Sequence, residues 1–265
     1  TWALIPIKGF DRGKSRLSEV LSPEERGWGI EGDTFRALEE AERRGADAWF
    51  RLGDRDLVTH LLRSRALAAG ESLTQATAKL CKGLGVARSI LPMSDSPRPT
   101  TIVTRSGDEM VFQDWLVRAR AIPEVRRIEH GGATEPTAKV MEALGSADLV
   151  VICPSNPYVS IDPIISLDGF REVLREKPTV AVSPILGGQA VKGPLASMIA
   201  QLEGEAASAH QVAMHYEDFL DGFVVHEGDA FPATFPVLET NILIQAREDR
   251  VVLARELLDF ARSLR

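Results

Sequence analysis

The stretch Leu149-Val150-Val151-Ile152-Cys153-Pro154-Ser155-Asn156-Pro157 constrains the fold more than any other. Five apolar residues stand in a row, preceded by Asp148 and cut off by Pro-Ser-Asn-Pro. A strand with one wet face would alternate polar and apolar residues. An unbroken short run bounded by turn residues fits a strand buried on both faces. Thr179-Val180-Ala181-Val182 repeats the plan and runs into Ser183-Pro184-Ile185-Leu186-Gly187-Gly188. Such strands belong to parallel sheets covered by helices, so the expected class is α/β: a Rossmann-like, mostly parallel sheet with helices on both faces. In these sheets ligands bind outside the carboxyl ends of the strands. The two polar loops therefore locate the expected site before any chemistry is assigned.

The remaining periodicities fill in the layers. Trp2–Ile7 reads as a strand, with Pro6 suiting an edge position or the strand end because proline cannot donate to a ladder. Helical spacing predicts helices over 35–44, 57–69, 136–144, 194–202, 207–216 and 248–264, and helix-like segments at 161–166 and 169–176. In the last helix the apolar residues are Val251, Val252, Ala254, Leu257, Leu258 and Ala261. Ser72-Leu73-Thr74-Gln75 matches a capping box opening a helix to about Gly83. Val86–Leu91 reads as a strand leaving through Pro92-Met93-Ser94-Asp95. Residues 100–104 and 110–112 flank Arg105–Glu109 as a β-hairpin, and Val125 to Ile128 suggests one more strand. Residues 97–134 thus form a small β-rich excursion, and Gly222–Val225 and Val237–Asn241 add strands.

Composition narrows the function classes. The 265 residues carry a net charge of −7, which disfavours a general nucleic-acid binder. Local cations and backbone N–H groups can still hold an anion. The two cysteines, Cys81 and Cys153, have no metal-type spacing and are expected reduced, in a cytoplasmic protein. No apolar run approaches the roughly 20 residues of a membrane span. Lys8 and Lys14 follow the first apolar stretch rather than precede it, unlike a signal peptide.

Each candidate site residue has a plain structural alternative. Lys8, Lys14 and Arg16 lie in a loop with Gly9 and Gly13, either an anion cradle or a solvated basic loop. Asp54 and Asp56 suit metal ligation or proton abstraction, or simply cap the helix that follows. Arg55, between two acids at a helix start, can grip a phosphate or carboxylate in bidentate fashion. Gly187 and Gly188 followed by Lys192 suit a phosphate, and also a tight turn requiring positive φ. His60, among Leu57, Leu61 and Leu62, reads as packing or hydrogen-bonded; His130, His210, His215 and His226 show no evident partners.

Two resemblances rest on these residues. The opening, Lys8 to Leu17 with Ser22-Pro23-Glu24-Glu25, resembles the start of the 2-phospho-L-lactate guanylyltransferases. From Gly27 the chain resembles the 2-phospho-L-lactate transferase family. The carrying motifs are Gly27–Phe35, Leu52-Gly53-Asp54-Arg55-Asp56, Thr59-His60, Leu91–Asp95, Pro154–Pro157 with Ser160-Ile161, Val182–Ile185 and Lys192-Gly193-Pro194. The domains are thus read as 1–26 and 27–265. The transferases open with a glycine-rich phosphate loop that residues 1–26 do not carry, and Trp2–Ile7 is a candidate for the first-strand position in its place. The transferase resemblance implies passage of a phospholactyl or phosphoenolpyruvyl group from a GMP-activated donor to the deazaflavin Fo. Mg²⁺ assists, GMP leaves, the product is an untailed coenzyme F(420), and a homodimer is expected. It further implies that Asp54, Arg55 and Asp56 are catalytic, with Asp54 and Asp56 as metal ligands. Arg55, Met93, Ser94, Asp95, Ser155, Asn156, Ser183, Gly187, Gly188 and Lys192 would bind substrate. The alternatives are a non-catalytic nucleotide- or deazaflavin-binding remnant, or a guanylyltransferase fusion remnant.

Overall fold

The computed structural model describes residues 2–5, 33–191 and 193–264. Lys8, Lys14, Arg16, Gly27 to Gly32 and Lys192, all singled out above, lie outside the described residues, as does the boundary at 26/27.

The central apolar run forms β5 (Leu149–Ile152), with all four residues buried. It pairs in parallel with β1 (Trp2–Ile5) on one side and β6 (Thr179–Val182) on the other. The ladder continues through β9 (Gly222–Val225) to β10 (Val237–Glu239), giving among the described residues a five-stranded parallel sheet, β1-β5-β6-β9-β10. β1 sits at an edge with Trp2 opposite Leu149, the place expected for a strand running into proline.

Alternation along each strand sorts the core into two faces. Val150, Ile152, Ala181, Phe223 and Val225 point to one face. There they meet α4 (Ala138–Gly145), α5 (Asp162–Ile165), α6 (Phe170–Glu176), α7 (Leu195–Glu203) and α8 (Ala209–His215). Leu149, Val151, Val180, Val182 and Val224 point to the other face, under α9 (Arg247–Ser263). The buried stripe of α9 is Leu253, Leu257 and Ala261, at helical intervals of four. Val251 and Val252, read above as part of that stripe, are exposed. Gly222 is required by this close approach: a Cβ there would stand 2.8 Å from both Leu264 and Phe260.

The β-rich excursion is a three-stranded antiparallel sheet, with β2 (Thr100–Thr104) between β3 (Glu109–Val111) and β4 (Val125–His130). Trp115 anchors it, buried on a π-helical turn (Asp114–Arg118) with its indole N–H donating to Pro123 O at 2.8 Å.

Residues 36–83 form a separate helical layer: α1 (Arg36–Arg43), α2 (Asp54–Ala68) and α3 (Leu73–Gly83). The capping box is present, Ser72 Oγ accepting from Gln75 N and Gln75 Oε1 from Ser72 N. The strand expected at Val86–Leu91 does not form; the segment is irregular, with Val86 and Ile90 exposed. An apolar run becomes a strand only where a ladder receives it, and no described strand lies alongside this one. Pro92–Asp95 is therefore not a strand exit but a loop laid against α4.

Candidate functional site at the carboxyl edge of the sheet

All five strands run the same way, so their carboxyl ends share one edge. At the end of β5 the chain turns through Pro154 and Ser155 to Asn156. Asn156 Oδ1 accepts from Tyr158 N at 3.0 Å and Val159 N at 3.3 Å. It thereby caps a π-helical turn, Pro157–Ile161, which enters α5 directly. Asn156 Nδ2 faces Met198 Sδ of α7 at 3.3 Å, a weak acceptor that a stronger one can replace. Ser155 is half-buried beside it.

The next loop, after β6, differs. Ser183 is fully buried, its Oγ donating to Ile185 O at 2.9 Å and accepting from Ile185 N at 3.0 Å. That hydroxyl shapes the loop and does not reach solvent. Gly187 (φ 55°) and Gly188 (φ 75°) are the two-residue turn joining β7 (Ile185–Leu186) to β8 (Gln189–Ala190). Positive φ at both positions is what a type I′ hairpin turn demands. The Gly187 N–H donates to the Asp229 carboxylate at 2.9 and 3.1 Å. The Gly187 N–H thus already meets an anionic oxygen, and the tight turn that both glycines make is compatible with a phosphate role rather than opposed to it.

Met93, Ser94 and Asp95 meet the amino end of α4. Met93 O accepts from Thr137 N at 3.0 Å, and Thr137 Oγ1 caps the helix by accepting from Val140 N at 3.2 Å. Because α4 runs back to the start of β5, its amino end stands level with the carboxyl end of that strand. A cleft of about 400 Å³ opens here, lined by Ser94, Asp95, Gly132, Thr134, Glu135 and Thr137. Ser94 Oγ accepts from Ser96 N, and Asp95 Oδ1 accepts from Thr74 N at 2.7 Å, tying α3 to the cleft.

The start of α2 is built by exchange. Asp33 Oδ1 and Oδ2 accept from Arg55 N at 3.0 and 3.2 Å, capping α2. Asp54, on α2, reaches back to accept from Arg36 N, Ala37 N and Thr34 Oγ1, at 3.1, 3.0 and 2.5 Å, capping α1. Gly53 leaves room for the Asp33 carboxylate between them, since a Cβ there would lie 2.6 Å from Asp33 Cγ and displace it. The hydrogen bond from Thr34, then those from Ala37 and Arg36, hold the Asp54 carboxyl below its ordinary value. Asp54 is thus a cap, although of the helix before it rather than its own. Three of its acceptor positions are taken up by this capping. Among the described residues no three His, Cys, Asp or Glu gather as a metal-holding group. Mg²⁺ ordinarily takes one or two carboxylates plus substrate phosphate oxygens, and Asp54 and Asp56 are the carboxylates the resemblance offers for it.

α2 is about 21 Å long at 1.5 Å per residue, and it separates Asp54 from the α2–α3 turn, beyond which Thr74 meets Asp95. The structure ties the loop at 92–95 to the amino end of α4, level with the carboxyl end of β5, and sets 53–56 a helix length from Asp95.

The histidines acquire partners that sequence neighbours do not reveal. His215 Nε2 lies 2.8 and 3.0 Å from the two Asp162 oxygens, and its ring meets Tyr158 edge-on at 5.0 Å. His130 bonds Thr100 Oγ1 at 3.2 Å, with burial lowering its pKa. His60 pairs with Arg63, His210 meets Phe231 edge-on, and His226 Nδ1 accepts from Ile242 N.

Taken together this is a parallel α/β fold whose polar loops and helix amino ends collect along one strand edge, where folds of this class bind their ligands. A member of the UPF0052 family from Bacillus halodurans has the same fold, with a TM-score of 0.58 at 14% identity, covering 96% of this chain and 89% of that one. The sequence profile described as 2-phospho-L-lactate transferase CofD matches residues 33–251, and the chain belongs to that family. The 2-phospho-L-lactate transferase of Methanosarcina acetivorans is 46% identical over 204 residues, 76% of this chain and 66% of the relative. The phosphoenolpyruvate transferase of Mycolicibacterium smegmatis is 39% identical over 220 residues, 77% and 67% of the two chains. The matched stretch thus spans about two-thirds of the length of such relatives.

Proposed function

We propose that the chain transfers a phospholactyl or phosphoenolpyruvyl group from a GMP-activated donor to the deazaflavin Fo, a step of coenzyme F(420) biosynthesis. The family match over residues 33–251 carries this reading. The acceptor's ribityl hydroxyl oxygen attacks the phosphorus bearing the three-carbon unit. The bond from that phosphorus to the GMP oxygen breaks, GMP leaves, and the hydroxyl proton goes to a carboxylate. Such transfers depend on positioning and on neutralising the phosphoryl charge.

Asn156 Nδ2 and Ser155 are the groups at the sheet edge suited to the diphosphate, and Ser94, Asp95 and the α4 amino end to the acceptor. Asp95, in the cleft, is the carboxylate proposed for the hydroxyl proton, and Mg²⁺, when bound, would neutralise diphosphate charge; Asp56, a helix length away, is left to the far end of the acceptor. Arg55, a helix length from the cleft, is proposed for the far end of the acceptor. A cation in the first turn of a helix opposes the helix dipole, and the Asp33 and Asp54 carboxylates beside it compensate. A homodimer in the cytoplasm completes the reading.

Incubation with Fo, Mg²⁺ and each GMP-activated donor should release GMP and form the untailed coenzyme. Binding of GDP and Fo without product would favour the non-catalytic alternative. Absence of both binding and turnover would overturn the proposal.

A further inference from the structure

The polar cluster behind the β5 loop has no part in the chemistry proposed above, yet it is tied to that loop by direct contacts. The turn Pro157–Ile161 is held at three points. Asn156 Oδ1 grips its first two free N–H groups. In its middle, the Tyr158 hydroxyl donates to Glu203 Oε1 at 3.0 Å, at the end of α7. At its exit, Asp162 is gripped by His215 of α8 through both carboxylate oxygens. His215 touches two of the three points, since its ring also packs edge-on against Tyr158.

The environment makes this grip effective. Tyr158 is 7% exposed, and the His215 and Asp162 side chains are 20% and 19% exposed. A hydrogen bond to a carboxylate with little water around it is stronger than a neutral one at the surface. Burial first, then the nearby Glu203 carboxylate, raises the Tyr158 pKa, so its hydroxyl stays a donor at neutral pH. π-Helical turns depart from the commonest backbone ladder and recur where a side chain must be aimed. Here the turn begins at the residue assigned to the diphosphate.

We propose that His215 is a positioning residue for Asn156: by holding Asp162 and Tyr158 it fixes the turn that aims the Asn156 amide at a nucleotide diphosphate. This rests on the assignment of Asn156 in the reading above. Without His215, Asp162 loses its partner, and the loosened turn lets the amide stray from the ligand.

The test is a double-mutant cycle of His215→Ala and Asn156→Ala, read by calorimetry as affinity for GDP with Mg²⁺ and by mass-resolved hydrogen exchange over 156–162. His215→Ala should weaken GDP about tenfold, the size of one charge-assisted hydrogen bond, and should add little once Asn156 is already alanine. His215→Gln, whose amide can still donate to Asp162, should recover most of the loss. Exchange at Tyr158 and Val159 should quicken in His215→Ala and not in His215→Gln. Unchanged affinity with unchanged exchange in a folded His215→Ala protein would overturn the proposal, as would a full tenfold loss persisting in the Asn156→Ala background. If the unaltered chain binds no GDP, the reading of Asn156 fails, and quickened exchange alone would show the clamp acting on the turn without a nucleotide.

Discussion

Every residue of β5, β6 and β9 is buried, whereas α1 and α2 bury none. The sheet is held by apolar contact on both faces. The helical layer is held by its ends: the Asp33 and Asp54 exchange at one, Asp95 on Thr74 at the other, and Arg118 of the β-rich excursion reaching Asp47 at 3.0 Å and Trp49 at 4.6 Å. Val58, Leu61, Leu62 and Leu67 of α2 remain exposed. Two regions of one chain thus rely on different physics, non-directional burial in one and directional charge-assisted bonds in the other. Substitutions should separate them.

The largest expected difference is in packing. Ile152→Ala should cost about 2–5 kcal/mol in urea unfolding, as buried large-to-small changes do, while Leu61→Ala should stay within about 0.5 kcal/mol. Equal costs would mean that the α2 face is covered in solution. Next comes the crossed cap. Gly53→Ala should cost about 1–2 kcal/mol by displacing the Asp33 carboxylate from Arg55 N. Asp33→Ala should cost about the same, and the pair together little more than either alone. Additive costs would break the idea of a shared contact.

A smaller effect follows in acid. The Asp54 carboxyl titrates in the folded chain below the ordinary 3.8. Its stabilisation is therefore complete above that value and lost as pH falls through the lower folded one. Asp54→Asn should flatten the acid side of the stability profile, and an unchanged profile would remove Asp54 from its role as cap. Smallest is the contrast in thiols. Burial pushes Cys153, directly after β5, up to about 11. At pH 8 only about 0.1% of it is thiolate, and alkylation should be far slower than for an ordinary thiol. Rapid labelling of Cys153 would show the β5 end to be open.

The same division explains what could be read from the letters. Apolar runs announce buried strands, and β5, β6 and β9 stand where their composition put them. The capping box at Ser72 was readable because its partner is three residues away. The strand expected at Val86–Leu91 failed because a run carries no information on whether a neighbour will pair with it. Gly187 and Gly188 were correctly marked as needing positive φ, but Asp229, 42 residues beyond Gly187, is what the Gly187 N–H meets. The Asp33 bond to Arg55 spans 22 residues and the His215 pair with Asp162 spans 53. Contacts of that separation are set by topology, which is why the site's loops were legible and its supports were not.

The central claim is that the loops ending β5 and β6 and the loop at 92–95 serve one ligand site on the carboxyl edge. Hydrogen exchange of the chain with and without GDP, Mg²⁺ and Fo addresses it most directly. The account predicts slowed exchange in peptides covering 92–95, 154–159 and 183–186 within a single titration. Slowing confined to the opposite edge of the sheet, or ligand binding that leaves all three peptides unchanged, would contradict it.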